Sequence, residues 1–279
     1  MINDNLGDRM KGNYENCFRF VLPKFMPVII RLDGVAFHTF TKGMNKPFDR
    51  KLMCNMQGTA YYLCTKIHGA VMAYVQSDEI SILVYPYNSF DSQEWYGNNL
   101  QKLVSVSASM ASVEMSYLES GSFGHGIGSQ TVLFDSRAFV LPIEEVNNYF
   151  VWRQKDWYRN SVNMIAQSMF SQKELTGCNV DKVRQMIFDK DCTMSWDVQS
   201  NDIRNGCAIV KVFNEVSGRY EWKIDIDGTP DFVENKDYIQ YRLDKIIVHR
   251  ESNGYMDDVS LEINGYGPDM TIFDEIDNQ

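Results

Sequence analysis

The order of strand-like and helix-like segments in the first half of the chain is the feature that most restricts its fold. In chain order, the apolar periods predict a strand at 27–32, a helix at 48–67, strands at 70–76 and 80–85, a helix at 98–118, and one strand made of 131–134 and 138–141 with a kink near Asp135. This β-α-β-β-α-β order is typical of a ferredoxin-like unit, in which two helices back an antiparallel sheet. The sequence therefore predicts an α+β fold.

The second half of the chain predicts a helical and hairpin extension. Helical spacing covers 144–170 and 180–188, and two strand-like runs at 208–213 and 220–226 flank Ser217-Gly218. Two arrangements of this hairpin stay open: it adds to an edge of the sheet, or it forms a small appended lobe.

Charge is concentrated at the end of the chain. The net charge is −10, but residues 251–279 hold eight acids and no Lys or Arg, which leaves 1–250 with a net charge of −2. A local basic groove for RNA is therefore not excluded, and the end of the chain is expected to be a solvated acidic tail.

Composition and the beginning of the chain favour a cytoplasmic protein. The six cysteines include no Cys-x-x-Cys pair and there are only four histidines, so neither a disulfide framework nor a zinc site is expected. Asp4 and Asp8 stand where a signal peptide would be basic and then apolar, and no apolar run is long enough for a membrane span.

Carboxylates follow the first strand and occupy the hairpin turn. Asp33-Gly34 ends the strand, and Asp78 with Glu79 lies between 70–76 and 80–85. A β-α-β-β unit brings these two places to one corner, where carboxylates and the free carbonyl of Gly34 suit Mg²⁺. Two such ions could support phosphoryl or nucleotidyl transfer. The alternative is that both sites are plain turns, as most such sequences are.

Basic residues near this corner are candidates for holding a triphosphate. Lys42 and Lys46 lie in the loop after Asp33, and Lys102 lies early in the second helix. The alternative is that each is an ordinary solvated lysine. His38 is likewise either a surface histidine or, if it lies near the metal, a residue that stacks on a base.

Separated motifs give the chain a specific resemblance. They keep one order along the chain and are Arg31-Leu32-Asp33-Gly34 with Phe37-His38-x-Phe40, Lys46-Pro47, Gln76-Ser77-Asp78-Glu79-x-Ser81, Trp152-Arg153-Gln154-x-Asp156 and Asp225-Ile226-Asp227-Gly228-x-Pro230-Asp231-Phe232. From about residue 25 to 239 the chain resembles the tRNA-His guanylyltransferase family, whose members add nucleotides to RNA 5′ ends in the 3′-to-5′ direction.

The resemblance implies a fold and a set of site residues. The fold would be that of a polymerase palm, with a palm-like catalytic core at 1–142, an extension of the same domain at 143–245 and an acidic tail at 246–279. The resemblance implies that Asp33, the Gly34 carbonyl and Asp78 hold two Mg²⁺ and that Asp33, Asp78 and Glu79 are catalytic. It implies nucleotide contacts from Gly34, Ser77, Lys46 and Lys102. It also implies a nucleotide-binding loop that contains Phe37 and His38.

One motif departs from the family pattern. Where eukaryotic members have a His-Ile-Asn-Asn segment tied to reading tRNA-His, this chain has Tyr158-Arg159-Asn160-Ser161. The segment looks like the guanylyltransferase-like branch, whose members prefer to repair 5′-truncated tRNAs. Arg153, Arg159 and Asn160 are then predicted to contact RNA, whereas Trp152 and Trp157 are predicted to lie in the core.

The leading hypothesis is a template-dependent 3′-to-5′ polymerase that repairs tRNA 5′ ends, with ATP and GTP or other nucleoside triphosphates as substrates and Mg²⁺ as cofactor. Its alternatives are addition of a single G to tRNA-His, a palm-type nucleotidyl cyclase, and a catalytically inactive RNA-binding protein. The resemblance also implies a homo-oligomer, as a tetramer.

Overall fold

An antiparallel sheet forms the centre of the molecule in the computed structural model, which describes residues 5–120 and 131–253. Its six strands are β1 Val28–Gly34, β2 Ala70–Gln76, β3 Glu79–Val84, β4 Phe134–Val140, β5 Cys207–Asn214 and β6 Arg219–Asp225. They lie in the order β4-β1-β3-β2-β5-β6, and every neighbouring pair is antiparallel. The hairpin β5–β6 thus joins the free edge of β2 and extends one continuous sheet.

Helices connect and cover the strands. In the described ranges the α-helices are α1 Asn5–Met10, α2 Phe37–Phe40, α3 Arg50–Lys66, α4 Leu100–Ser120, α5 Ile143–Met169, α6 Gln172–Leu175, α7 Val180–Lys190, α8 Asn201–Asn205 and α9 Asp237–Asn253. Asp49 caps α3 by accepting a hydrogen bond from the backbone N–H of Leu52 at 3.1 Å, which satisfies one free donor of the first turn.

The two faces of the sheet are covered by different helices. Ile30 and Leu32 belong to a core with α3 and α4, whereas Ile29 belongs to a core with Tyr149 and other residues of α5. Because side chains alternate along a strand, Asp33 lies on the same face as Ile29. The carboxylate near the end of β1 is therefore directed to the α5 face.

The α+β class with an antiparallel sheet is confirmed. The strand predicted from 131–134 and 138–141 is wrong at 131–133, which precede β4, and the predicted kink near Asp135 is wrong because β4 pairs with β1 in one continuous register from Phe134 to Val140. α9 runs across the proposed division at residue 245, and most of the predicted acidic tail lies outside the described residues. None of the helices in the described ranges combines the length and the apolar character that crossing a membrane requires.

Gln154 of α5 ties the extension to the rest of the sheet. Its amide is buried and donates to the carbonyls of Asn205 and Pro230, both at 2.9 Å, and it accepts from the N–H of Phe232 at 2.8 Å. A buried polar group with all these partners stabilises the folded state. Its removal leaves buried backbone groups without hydrogen-bond partners. The glutamine of the Trp152-Arg153-Gln154 motif therefore has a structural role.

Gln154→Ala is expected to lower the free energy of unfolding by about 2–3 kcal/mol, because two carbonyls and one N–H lose their partner in the interior. Urea unfolding followed by circular dichroism measures this change. The matched control is Gln101→Ala on the exposed face of α4, expected within about 0.5 kcal/mol of wild type. Equal effects of the two substitutions would contradict the role given to Gln154.

Candidate active site

The end of β1 and the turn between β2 and β3 form one corner of the sheet. Asp33 pairs with Glu79 across the two strands, and Ser77 with Asp78 makes the turn. The backbone N–H of Gly34 donates to the carbonyl of Asp78 at 3.1 Å. This hydrogen bond fixes the strand end to the turn, so the two predicted aspartates lie at the same corner.

A cavity of about 400 Å³ opens over this corner on the α5 face. Its walls come from β1, from the β2–β3 hairpin and from α5, and they are lined by Arg31, Asp33, Gln76, Ser77, Asp78, Glu79, Trp152, Arg153, Asp156 and Asn160. A volume of this order is in the range of small-molecule sites. Predicted site residues from separate parts of the sequence thus meet around one space.

Asp78 carries an electrostatic cost in this arrangement. Burial raises the pKa of its carboxyl, and the negative charge of Asp33 adds to the rise. Asp33 itself has only long ion pairs, 4.0 Å from Arg31 Nη2 and 3.9 Å from Arg137 Nη2. Two carboxylates that repel each other across a cavity form a donor set that a cation stabilises.

The donors at this corner suit Mg²⁺. Asp33 and Asp78 offer carboxylate oxygens, which are the hard ligands that this ion prefers. Within 5–120 and 131–253, no three side chains of His, Cys, Asp or Glu are grouped to hold a metal ion. The remaining ligands would therefore be water, substrate phosphate and a backbone carbonyl such as that of Gly34, as is usual for Mg²⁺ with nucleotides.

Glu79 is buried at the base of the cavity and already has partners. Its Oε1 accepts from Arg153 Nε at 2.7 Å and from Ser81 Oγ at 3.3 Å, and Oε2 lies 3.7 Å from Arg31 Nε. Burial raises the pKa of Glu79, and Arg153 and Arg31 oppose that rise. The geometry makes Glu79 an anchor for the two arginines rather than a free metal ligand.

Phe37 and His38 occupy different environments although they are adjacent. Phe37 is buried and its ring packs on Phe40 and Phe134. A Cβ at Gly34 would lie 2.1 Å from Cδ2 of Phe37, so the ring needs glycine there. His38 is exposed and hydrogen-bonds Thr39 Oγ1 at 3.0 Å. Of the two side chains, His38 is the one accessible to a ligand.

The structure separates the predicted triphosphate lysines. Lys46 is exposed and precedes Phe48, whose ring lies 6.2 Å from that of Trp157 on α5, so its loop reaches the α5 face. Lys102 is on the first turn of α4, beside Tyr96.

The position of Lys102 follows from the contacts of α4 with β4. Ser112 Oγ accepts from the N–H of Phe134, the strand partner of Gly34. Lys102 lies ten residues before Ser112, or about 15 Å along the helix, toward the other end of the sheet. The corner of this chain therefore does not include Lys102, because α4 begins at the opposite end of the sheet.

The predicted RNA-binding residues lie on α5 around Asp156. This carboxylate accepts from Arg153 Nη2 at 2.9 Å, Arg159 Nη2 at 2.8 Å and Asn160 Nδ2 at 3.5 Å. Arg159 is exposed and Asn160 lines the cavity. The side chain of Arg153 is only 7% exposed, so an RNA phosphate would have to compete with two carboxylates for its guanidinium.

The prediction that Trp152 lies in the core is wrong, whereas Trp157 is buried. Trp152 is 50% exposed and lines the cavity, because it lies on the part of α5 that faces the corner. Sequence reasoning also passed over Arg31, although alternation along β1 places it on the same face as Asp33. Arg137 was missed because only the register of β4 brings it to Asp33.

Tyr158 stands at the position of the motif that departs from the family pattern. Its hydroxyl lies 3.1 Å from the donor Nη1 of Arg184, and its ring packs edge-on against Trp196 at 5.0 Å between centroids. Arg184 is itself paired with Asp197. These contacts hold Tyr158 against α7 and the segment that follows it.

Comparisons with known proteins find a matching family model and similar chains. The family model described as Thg1, tRNAHis guanylyltransferase, matches residues 7–142. A bacterial tRNA(His) guanylyltransferase (Thg1)-like protein in complex with ATP is similar to this chain, with 40% identity, a TM-score of 0.78 and coverage of 85% of this chain and 98% of that one. A bacterial Thg1-like protein in complex with GTP is 38% identical, with a TM-score of 0.71 and coverage of 86% and 99%. The tRNA(His) guanylyltransferase of Debaryomyces hansenii is 28% identical over 211 residues, which are 70% of this chain and 77% of that protein.

Asp78→Asn is expected to raise the melting temperature at neutral pH, because it removes a buried charge that Asp33 repels. The folded-state pKa of Asp78 is raised, so ionisation of this carboxyl costs stability as the pH rises from about 4 through the folded-state value. The melting temperature of the variant minus that of wild type should therefore grow from near zero at about pH 4 to a clear positive difference at pH 7.

Differential scanning fluorimetry across this pH range measures the difference between the variant and wild type. The control is Glu215→Gln in the exposed turn between β5 and β6, for which no pH-dependent difference is expected. A difference for Asp78→Asn that is already full at pH 4 would rule out ionisation as its cause.

Proposed function

The chain belongs to the tRNAHis guanylyltransferase (Thg1) family of nucleotidyltransferases, and we propose that it adds nucleotides to tRNA 5′ ends in the 3′-to-5′ direction. The observation that carries this proposal is the cavity in which Asp33 and Asp78 lie together at the corner of β1 and the β2–β3 turn. The β-α-β-β-α-β order and the carboxylates on the face opposite α3 and α4 support a catalytic domain of the polymerase-palm type.

Asp33, Asp78 and the carbonyl of Gly34 are the proposed ligands of two Mg²⁺ ions. Such ions, when bound, stabilise the negative charge on attacking and leaving oxygens in nucleotidyl transfer. The raised pKa of Asp78 and the repulsion from Asp33 support this assignment, because a cation would favour the ionised form of both carboxylates. Arg153 and Arg31 hold Glu79 beneath the corner and so keep the start of β3 in place.

The proposed reaction has two transfers. An oxygen of the RNA 5′-monophosphate attacks the α-phosphorus of ATP, pyrophosphate leaves, and an adenylylated 5′ end forms. The 3′-hydroxyl of the incoming nucleoside triphosphate then loses its proton and attacks the RNA 5′ phosphorus, and AMP leaves. Because the attacking and leaving groups must be aligned, the protein contributes mainly by positioning and charge.

Residues around the corner provide contacts for these substrates. Ser77 and Lys46 are proposed to contact the triphosphate and His38 the nucleoside, because Ser77 lines the cavity and the other two side chains are exposed in the segment that follows β1. The nucleotide complexes of the bacterial relatives support ATP and GTP as substrates. Contacts of Lys102 with nucleotide would have to come from a second subunit of the proposed tetramer, because α4 places this lysine away from the corner of its own chain.

Repair of 5′-truncated tRNA is proposed over addition of one G to tRNA-His. The contacts of Tyr158 support this choice, because a side chain held by Arg184 and Trp196 is not free to read a base. Arg159 and Asn160 are the proposed contacts with the tRNA backbone. Selection of the nucleotide would come from pairing with the opposite base, so no base-reading side chain is needed at the corner.

Asp33→Ala is expected to reduce nucleotide addition by at least about 100-fold, because the cavity loses one of two metal-binding carboxylates. The assay incubates a labelled 5′-truncated tRNA transcript with ATP, each nucleoside triphosphate and Mg²⁺, and resolves products at nucleotide length. Glu215→Ala removes a carboxylate from the other hairpin turn and should leave the rate unchanged. Retained addition by Asp33→Ala would refute the site, and RNA-independent turnover by wild type would indicate a cyclase.

Truncated tRNAs of several identities are expected to be extended at least about tenfold more efficiently than full-length tRNA-His receives a G, a difference of about 1.4 kcal/mol in transition-state stabilisation. The expectation rests on pairing as the source of nucleotide choice. Rates under subsaturating RNA give kcat/KM for each substrate. A preference for full-length tRNA-His would instead identify single-nucleotide addition as the function.

A further inference from the structure

Two arginines lie directly opposite each other beside Asp33. Arg31 of β1 pairs with Arg137 of β4 across the antiparallel ladder, so both side chains lie on the same face of the sheet. Like charges at such positions destabilise a sheet unless negative charge lies nearby. Both guanidinium groups are near Oδ2 of Asp33, at 4.0 and 3.9 Å, and Arg137 Nη2 is 3.4 Å from Asp135 Oδ1.

Both arginines have only distant carboxylate partners. No distance from Arg137 to a carboxylate is shorter than 3.4 Å among the described ion pairs, and the side chain is 52% exposed. The Nε of Arg31 is buried and has no hydrogen-bond partner, although Glu79 Oε2 lies 3.7 Å away. An anion of tetrahedral geometry could accept from both side chains, since guanidinium groups match phosphate oxygens.

Trp152 provides an aromatic surface next to this pair. The guanidinium carbon of Arg153 lies 4.4 Å from its ring centroid, and that of Arg31 lies 6.0 Å away. The ring of Tyr149 packs edge-on against the indole, with an angle of 68° between the two ring planes, and so also holds the indole in place. Half of Trp152 remains exposed in a cavity that also contains Asp33. The indole is thus fixed and has a surface on which a base can stack.

These groups lie on one side of Asp33, and the turn lies on the other. The sheet order places β4 next to β1 on the side away from β3, so Arg137 and Ser77 flank the carboxylate from opposite directions. In phosphoryl transfer the attacking oxygen, the phosphorus and the leaving group are in line, so the attacking nucleoside triphosphate must be bound in a subsite separate from that of the RNA end it attacks. If the nucleoside triphosphate uses Ser77 and Lys46, the side of Arg137 is left for the RNA.

We propose that Trp152 and Arg137 form the subsite for the 5′-terminal nucleotide of the RNA. The terminal base stacks on Trp152, and the 5′-phosphate accepts hydrogen bonds from Arg137 and Arg31. The inference rests on the proposed function for the identity of the RNA. Asp135 keeps Arg137 extended over β4 and gives up this partner when the phosphate binds.

The subsite accepts any terminal base. Stacking uses the face that every base has, and it contributes about 1–3 kcal/mol per base without reading hydrogen-bonding groups. An enzyme that restores different 5′ ends needs such a surface, because the terminal base differs between tRNAs and changes after each addition. Because Arg137 binds the 5′-phosphate, RNA with a phosphorylated 5′ end binds more tightly.

RNA binding in the absence of nucleoside triphosphate tests the proposal without turnover. The probe is a 3′-fluorescein tRNA transcript truncated at its 5′ end, prepared with a 5′-monophosphate, with a 5′-hydroxyl, and with an abasic 5′-terminal nucleotide. Fluorescence anisotropy gives Kd for wild type, Arg137→Ala, Arg137→Lys, Trp152→Ala and Trp152→Phe. Thermal melts verify that each variant is folded, and GTP binding is measured in parallel.

Wild type is expected to bind the 5′-monophosphate RNA about fivefold or more tightly than the 5′-hydroxyl RNA, as a charge-assisted contact predicts. Arg137→Ala should remove most of this ratio, because only Arg31 is then left to bind the phosphate, and Arg137→Lys should keep more of it. Trp152→Ala should weaken binding about tenfold for RNA with a terminal base and leave abasic RNA unaffected, while Trp152→Phe retains most of the affinity. Arg219→Ala, an exposed arginine on the other edge strand, is the matched control and should change neither ratio.

Two results would overturn the subsite. One is that Arg137→Ala still prefers 5′-monophosphate RNA to 5′-hydroxyl RNA as wild type does, and that Trp152→Ala still prefers RNA with a terminal base to abasic RNA as wild type does. The other is weaker GTP binding with unchanged RNA binding, which would assign both residues to the nucleoside triphosphate. Failure of the proposed function is distinguishable, because it is the absence of nucleotide addition by wild type while the dependence of RNA binding on the 5′-phosphate remains.

Discussion

The buried ion pair between Glu79 and Arg153 is the contact on which the corner depends. It joins the first residue of β3 to the middle of α5 at 2.7 Å, and both side chains are almost completely buried. A buried charge that loses its partner is strongly destabilising, so neither group tolerates the absence of the other. Because β3 begins directly after Asp78, the same contact fixes the distance between α5 and the turn, and with it the width of the cavity.

Around this pair, charge is distributed unequally. Glu79 and Asp156 are satisfied by arginines, whereas Asp33 and Asp78 have no ion pair shorter than 3.9 Å among the described residues. The satisfied carboxylates position arginines and α5. Asp33 and Asp78, which lack a close ion pair, retain the capacity to bind a cation, and burial raises the pKa of Asp78. The acids with a structural role and those proposed to bind metal are therefore distinguished by their partners rather than by residue type.

Several parts of the site were predictable because they are set by local sequence. Asp33 ends an apolar run and Asp78 lies between two strand-like runs, so the order of elements alone brings them to one corner. Other parts were not. Lys102 was grouped with the corner through the family resemblance, but β3 runs away from the turn at Asp78 and α4 therefore begins at the opposite end of the sheet. Trp152 was placed in the core because tryptophan is usually buried, and only the packing angle of α5 leaves half of it exposed.

The sequence by itself determined the α+β class, the β-α-β-β-α-β order and the positions of the two aspartates, because hydrophobic period and turn residues act over a few neighbouring positions. The tertiary structure decided that β5 and β6 extend the sheet, that Arg153 belongs to Glu79, that Tyr158 is held by Arg184, and that Arg137 lies opposite Arg31. Each of these depends on strand pairing or helix packing between residues far apart in the chain, so no pattern within a single segment specifies it.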